Sequence, residues 1–202
     1  MAARVALIDY GAGNLHSVHN ALRAAGAQGL AITADPDAVA RADRIVLPGV
    51  GAFGACARGL RAIPGMVEAI EQRVLREAAP FLGVCVGMQL MATTGEELGS
   101  HQGLGWIPGT VRQIDPAPGV HVPHMGWNDV IPAADHPLIQ AGEAYFLHSF
   151  AFTGGDVLAT TSHGGPVTAA IGRDNLAGVQ FHPEKSQRYG LALLERFLAW
   201  KP

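Results

Sequence analysis

Apolar positions along this chain follow two alternating periods. In the first half, short β-rich apolar runs, "VALIDY", "GLAIT", "RIVLPG" and "PFLGV", are separated by "LHSVHNALRAAG", "DAVARAD" and "GMVEAIEQRVLREA", whose apolar residues recur every three or four positions. Runs of the first kind read as strands and those of the second as helices. The alternation predicts an α/β fold, with mostly parallel strands joined by right-handed crossovers and helices flanking the central sheet. Past about Gly99 the pattern changes to short extended pieces, "TVRQI", "AYFLHSF", "DVLATTS", "VTAAIG" and "LAGVQFH", broken by Gly, Pro, Asn and Asp. These predict an antiparallel extension of the sheet in the C-terminal half, with the "GRDN" turn, Gly172 to Asn175, closing one hairpin. A last helix, roughly Tyr189 to Trp200, turns Leu191, Leu193, Leu194, Phe197 and Leu198 toward the core.

Composition narrows this picture. A chain of 202 residues, 49% hydrophobic and only 15% charged, suits one compact domain with much buried sheet. A formal net charge of -3 gives no electrostatic footprint for nucleic acid or an anionic membrane, and neither partner is expected. The charge-free stretch Ala78 to Gly95 approaches membrane-spanning length, but Pro80, Gly83, Gly87, Gln89 and Gly95 divide it. The opening "MAARVALIDYGAGN" has too short an apolar run for a signal peptide and is interrupted by Asp9, so a cytoplasmic protein is expected. Its two cysteines, Cys56 and Cys85, would stay reduced there.

One of those cysteines sits in a frame with chemical meaning. In "APFLGVCVGMQLM", Ala79 to Met91, a buried strand runs into a helix-friendly segment with Cys85 at the corner. Gly83-Val84-Cys85-Val86-Gly87 has the form of a nucleophile elbow, with cysteine in place of serine. Bulky side chains two residues away on either side would collide in so sharp a strand-to-helix turn. At a helix N-terminus, the dipole and unpaired amides would also stabilise a thiolate. The ordinary fate of a free cysteine is inert burial, and Cys56, in "FGACARGL" without such a frame, keeps that assignment.

A nucleophilic thiol needs a base, and the base needs a group to orient it. Among nine histidines, His182 in "AGVQFHPEKS" ends an apolar extended run, Pro183 stops ladder pairing beyond it, and Glu184 follows two residues later. Residues i and i+2 of an extended segment point the same way, so Glu184 can hold one ring nitrogen while the other addresses Cys85. Alone, His-Pro-Glu also reads as a loop with a surface salt bridge; beside an elbow cysteine it reads as part of a triad. Acyl transfer further needs amides aimed at the developing oxyanion. Val86 N–H is one candidate, and the second is sought in "PGVGAFG", Pro48 to Gly54, which could equally be a plain glycine-rich turn.

"PGVGAFG", "GVCVGMQL", "PHMGWN", "YFLHSF" and "GVQFHPEKS" occur in that order and together resemble the class I (triad) glutamine amidotransferases. Within that family, "DYGAGNL", "PGVGAFG" and "PHMGWN" are similar to the glutaminase subunits of imidazole glycerol phosphate synthase. The resemblance covers nearly the whole chain and implies one amidotransferase domain of flavodoxin-like fold over residues 1–202. It implies that Cys85 attacks the side-chain amide of L-glutamine, His182 protonates the departing ammonia, Glu184 orients His182, and water releases glutamate from the thioester. It places Val50 and Gly51 with Val86 in the oxyanion hole. Gly49, Gln89 and the Ser149-Phe150 backbone would contact the substrate, with Phe150 standing where many relatives carry tyrosine. Neither a cofactor nor a metal is implied.

The resemblance also implies a partner: a separate (β/α)₈ cyclase subunit, joined as a heterodimer, that receives the ammonia. The cyclase makes imidazole glycerol phosphate and the purine precursor aminoimidazole carboxamide ribotide in histidine biosynthesis. Trp127 and Lys185 match residues that face it, although by themselves they read as a core aromatic and a solvated lysine. Glutaminase subunits serving anthranilate, carbamoyl phosphate, guanylate or pyridoxal phosphate synthesis share the same Cys, His and Glu. A catalytically silent regulatory subunit is a different class of function, against which the intact Cys85, His182 and Glu184 argue. Dinucleotide binding, suggested by "LIDYGAGNLHS", meets His16 where the fingerprint wants Gly or Ala. The pairs His16/His19 and His121/His124 lack a completing carboxylate or cysteine, so no metal site is expected.

Overall fold

The computed structural model describes residues 3–116 and 119–202, so the first two residues of the opening stretch lie outside it. The first half contains β1 (Arg4–Ile8), α1 (Leu15–Ala24), β2 (Gly29–Thr33), α2 (Pro36–Ala40), β3 (Arg44–Leu47) and α3 (Phe53–Ala62). It continues with α4 (Met66–Glu71, extended by a π-helical turn, Gln72–Arg76), β4 (Phe81–Val84) and α5 (Val86–Gln89). The remainder is mostly strand: β5 (Ala92–Gly95), β6 (His101–Gln102), β7 (Ile107–Gln113), β8 (His124–Pro132), β9 (Gly142–His148) and β10 (Phe150–Gly154). Then come β11 (Val157–Ser162), β12 (Pro166–Arg173), β13 (Leu176–Val179) and α6 (Gln187–Ala199).

Among the described residues, nine strands form one sheet in the order β2-β1-β3-β4-β13-β12-β11-β8-β9. The first five run parallel, in the 2-1-3-4-5 order of flavodoxin-like doubly wound sheets. The others pair antiparallel. Every residue of β3, β4 and β13 is buried, as expected of central strands covered on both faces, which read as continuous apolar runs. The "GRDN" hairpin joins β12 to β13, with Asp174 taking the left-handed conformation at φ 51°. α6 docks through Leu193, Leu194 and Phe197, each worth about 1.5–3 kcal/mol on full burial. The buried Arg44 side chain donates to the Phe197 and Trp200 carbonyls at 3.1 and 2.6 Å, adding donors at the C-terminal end of α6, where backbone partners run short.

Three features differ from the sequence expectation. The "PGVGAFG" stretch is not all loop: α3 begins inside it, burying Phe53, Cys56, Ala57 and Leu60 at helical spacing. The segment after Cys85 makes only one helical turn before the chain enters β5. The antiparallel addition is also divided, because β10, β7, β5 and β6 form a second, four-stranded sheet. "AYFLHSF" bends at Ser149 and passes from the large sheet to the small one. No helix among the described residues is long and apolar enough to cross a membrane.

Candidate active site

The parallel strands deliver the candidate residues at their carboxyl ends, where such sheets bind ligands. Cys85 follows β4 with φ 55° and ψ -115°, a backbone strain of about 1–3 kcal/mol that persists only where the surroundings enforce it. Here they do. Cys85 N–H donates to the Val179 carbonyl at 2.8 Å, and the Cys85 carbonyl accepts from Gln89 N–H at 3.1 Å. A methyl group on Gly83 would lie 2.7 Å from the Gly87 carbonyl oxygen, and one on Gly87 would overlap the Leu47 carbonyl. Close backbone approach therefore demands both glycines. With one turn in α5, an anion beside Cys85 meets local N–H groups and no long helix dipole.

From the end of β13 the chain carries His182 to the same corner. Its Nδ1 lies 2.8 Å from Glu184 Oε1, with both side chains buried, so Nδ1–H donates to the carboxylate and Nε2 is left for Cys85. The two residues meet through a 3₁₀ turn, Pro183–Lys185, in place of a continued strand. His182 is anchored on both backbone sides: its N–H donates to the Tyr145 carbonyl at 2.9 Å, and its carbonyl accepts from Ser186 Oγ at 2.6 Å. Burial pulls the imidazole pKa down, but interactions with Cys85 and Glu184 outweigh it and raise the value to about 9. An imidazolium thus persists at neutral pH.

Cys85 and His182 open on a cavity of about 450 Å³, within the range of small-molecule sites. Val50, Gly51, Val86, Gln89, Ser149, Phe150 and Lys185 line it as well; Gly49, Glu184 and Trp127 do not. Gly49 packs against the elbow, where an added methyl would come within 2.7 Å of Gly87 N and 2.8 Å of the Tyr10 hydroxyl. The N–H groups of Val86, Val50 and Gly51 have no hydrogen-bond partner among the described residues. Gln89 Nε2 donates to the Phe150 carbonyl at 3.0 Å and to Gln180 Oε1 at 2.9 Å. The Phe150 carbonyl also accepts from His148 Nδ1 at 2.9 Å, and the Ser149 carbonyl accepts from Ile114 N–H at 2.9 Å. Both carbonyls are therefore engaged, leaving the Ser149 N–H without a partner among the described residues.

The family model described as class-I glutamine amidotransferase matches residues 6–200. The chain belongs to this family. It is 62% identical to imidazole glycerol phosphate synthase subunit HisH of Zymomonas mobilis, over 100% of this chain and 98% of that relative. It is 53% identical to the HisH subunit of Rhodospirillum rubrum, over 98% of this chain and 100% of that relative. Solved structures share the fold. A glutamine amidotransferase crystal structure superposes with a TM-score of 0.75 at 18% identity, covering 96% of this chain and 97% of that one. The PurLQS structure from Thermotoga maritima gives 0.72 at 18% identity, covering 98% and 99%.

Sequence reasoning missed two residues of this amidotransferase's site, Gln180 buried behind Cys85 and His148 on the cavity wall. Gln180 Nε2 lies 3.7 Å from the Cys85 sulfur, and i, i+2 alternation counted back from His182 along the extended run would have found it. His148 had no such signal. It joins a buried chain in which His124 Nδ1 lies 3.0 Å from His148 Nε2 and Asn128 Nδ2 lies 3.0 Å from His124 Nε2. Burial above all lowers both pKa values to about 4, with neighbouring histidine charges adding to it, so both rings are neutral at pH 7. Trp127 is 48% exposed on β8, between the exposed Met125 and Ile131, which replaces the core-aromatic alternative. Its ring meets Tyr145 edge-on at 6.1 Å, and Lys185 Nζ lies 5.9 Å from the centre of the Tyr145 ring.

Proposed function

We propose that this chain, acting over residues 1–202 as one amidotransferase domain, hydrolyses L-glutamine to glutamate and ammonia in imidazole glycerol phosphate synthase of histidine biosynthesis. The observation that carries the chemistry is the buried His182, held 2.8 Å from Glu184 and lining one cavity with Cys85. The pathway rests on full-length identity to HisH subunits. Cys85 attacks the carboxamide carbon, and the oxyanion forms against Val86 N–H and the free amides of Val50 and Gly51. The His182 imidazolium gives its proton to the departing ammonia, then removes one from the water that cleaves the thioester. Glu184 holds the ring in the orientation both steps require. Gln89 leaves its Oε1 for the substrate's ammonium group, while Ser149 N–H faces its carboxylate, Phe150 shapes the wall, and Gly49 sits behind the wall, against the elbow. No cofactor or metal takes part.

The partner is the cyclase subunit, joined as a heterodimer in the cytoplasm. It docks on the face carrying Trp127 and Lys185 and takes up the ammonia before water protonates it. Glutamate release, measured alone and then with a histidine-pathway cyclase and its acceptor ligand, tests this assignment. Strong stimulation by that pair is expected. Glutaminase activity indifferent to the cyclase would refute the pathway while leaving the triad standing.

A further inference from the structure

Beneath the candidate oxyanion loop lie two buried side chains that the reaction above leaves unused, Tyr10 at 6% exposure and Cys56 at 1%. The Tyr10 hydroxyl, two residues past β1, donates to the Pro48 carbonyl at 2.7 Å. The Cys56 thiol, in the first turn of α3, donates to the Val50 carbonyl at 3.3 Å. Burial above all pushes the pKa of both groups upward, so each keeps its proton at neutral pH and serves as a donor.

A peptide unit is planar, so holding its carbonyl also sets the direction of the following N–H. Tyr10 thereby holds the Pro48–Gly49 peptide, and Cys56 holds the Val50–Gly51 peptide. The Gly49–Val50 peptide between them has no hydrogen bond at either polar atom among the described residues. Tight packing of Gly49 against Val86 and Gly87 leaves the loop no room to slide toward the elbow. With both neighbours held, the motion that remains is rotation of that one peptide about Gly49 ψ and Val50 φ.

We propose that Tyr10 and Cys56 are positioning residues for glutamine hydrolysis, clamping the peptides on either side of Gly49–Val50 so that the Gly51 amide is held at the cavity over Cys85 and the Val50 amide is the one left to turn toward it. Cys56 acts only as a hydrogen-bond donor and undergoes no covalent step. The inference rests on the glutaminase assignment, because it needs an oxyanion to stabilise.

The test measures kcat and KM for glutamine on the full chain with the cyclase and its acceptor ligand, for wild type, Tyr10→Phe, Cys56→Ala and Cys56→Ser. Deleting an oxyanion donor outright costs about 10²–10³ in kcat, and loosening its support should cost less. Tyr10→Phe and Cys56→Ala should each lower kcat about tenfold while KM stays within about twofold, and Cys56→Ser, which keeps a donor, should recover most of the loss. Alkylation of Cys85 by iodoacetamide forms no oxyanion and should proceed at the wild-type rate in all four proteins. Wild-type kcat in Cys56→Ala and Tyr10→Phe would overturn the clamp, as would a matching loss of alkylation rate, which would mean general damage to the cleft. A wild-type protein that fails to hydrolyse glutamine would instead refute the glutaminase assignment itself, and the clamp with it.

Discussion

On one wall of the cleft, His182 has a carboxylate partner at 2.8 Å and a hydrogen bond on each backbone side. On the opposite wall, Val50 and Gly51 present N–H groups that have no partner among the described residues. Proton transfer tolerates little variation in distance, which suits a proposed base fixed before substrate arrives. An oxyanion hole works only if its donors are unoccupied, and folded proteins seldom leave such groups unpaired. The contrast separates what this fold completes for itself from what it leaves for a ligand.

Removing the proposed nucleophile has the largest expected effect: Cys85→Ala should reduce glutamate release by about 10⁴-fold or more, read from steady-state kinetics. Glu184→Gln keeps the shape and removes the charge that holds His182; kcat should fall by about 10³-fold. The same variant sharpens the electrostatic side. Wild-type activity should decline as pH rises through about 9, where His182 loses its proton, and Glu184→Gln should move that alkaline limb to lower pH. The matching contribution to stability is complete below the ordinary histidine value near 6.5 and disappears through about 9.

Gly83→Ala attacks the corner that joins the two walls. With backbone 2.7 Å from the new methyl, overpacking should cost about 1–3 kcal/mol, measured by chemical denaturation. The smallest effect concerns the neutral histidine chain behind Phe150. Since His124 and His148 are held near 4, they stabilise the fold above the unfolded value near 6.5 and lose that contribution as pH falls toward 4. The denaturation midpoint should drop less between pH 7 and pH 5 in His124→Phe than in wild type.

What was legible in the chain was local. The elbow declared itself because Gly83 and Gly87 frame Cys85 within five consecutive residues, and His182 with Glu184 because they stand two apart after an apolar strand. α3 was missed because nothing at Ala52 caps it; the Glu97 carboxylate, 44 residues away from Phe53, accepts the Phe53 N–H at 2.7 Å instead. The helix after Cys85 looked longer than it is, since Met88, Leu90 and Met91 are buried whether the chain coils or turns into β5. "YFLHSF" hides a change of sheet, because the bend at Ser149 depends on strands β7 and β8 that pair with its two sides. The histidine chain was equally invisible, as His124 and His148 lie 24 residues apart and meet only through the β8–β9 pairing.

The most direct test treats the protein with a chloroketone analogue of glutamine and maps the modified cysteine by mass spectrometry, with and without excess L-glutamine. Expected is a single adduct on Cys85, suppressed by glutamine, with Cys56 unmodified. An adduct on Cys56, or labelling of Cys85 that glutamine does not slow, would contradict the assignment of Cys85 as the nucleophile of a glutamine site.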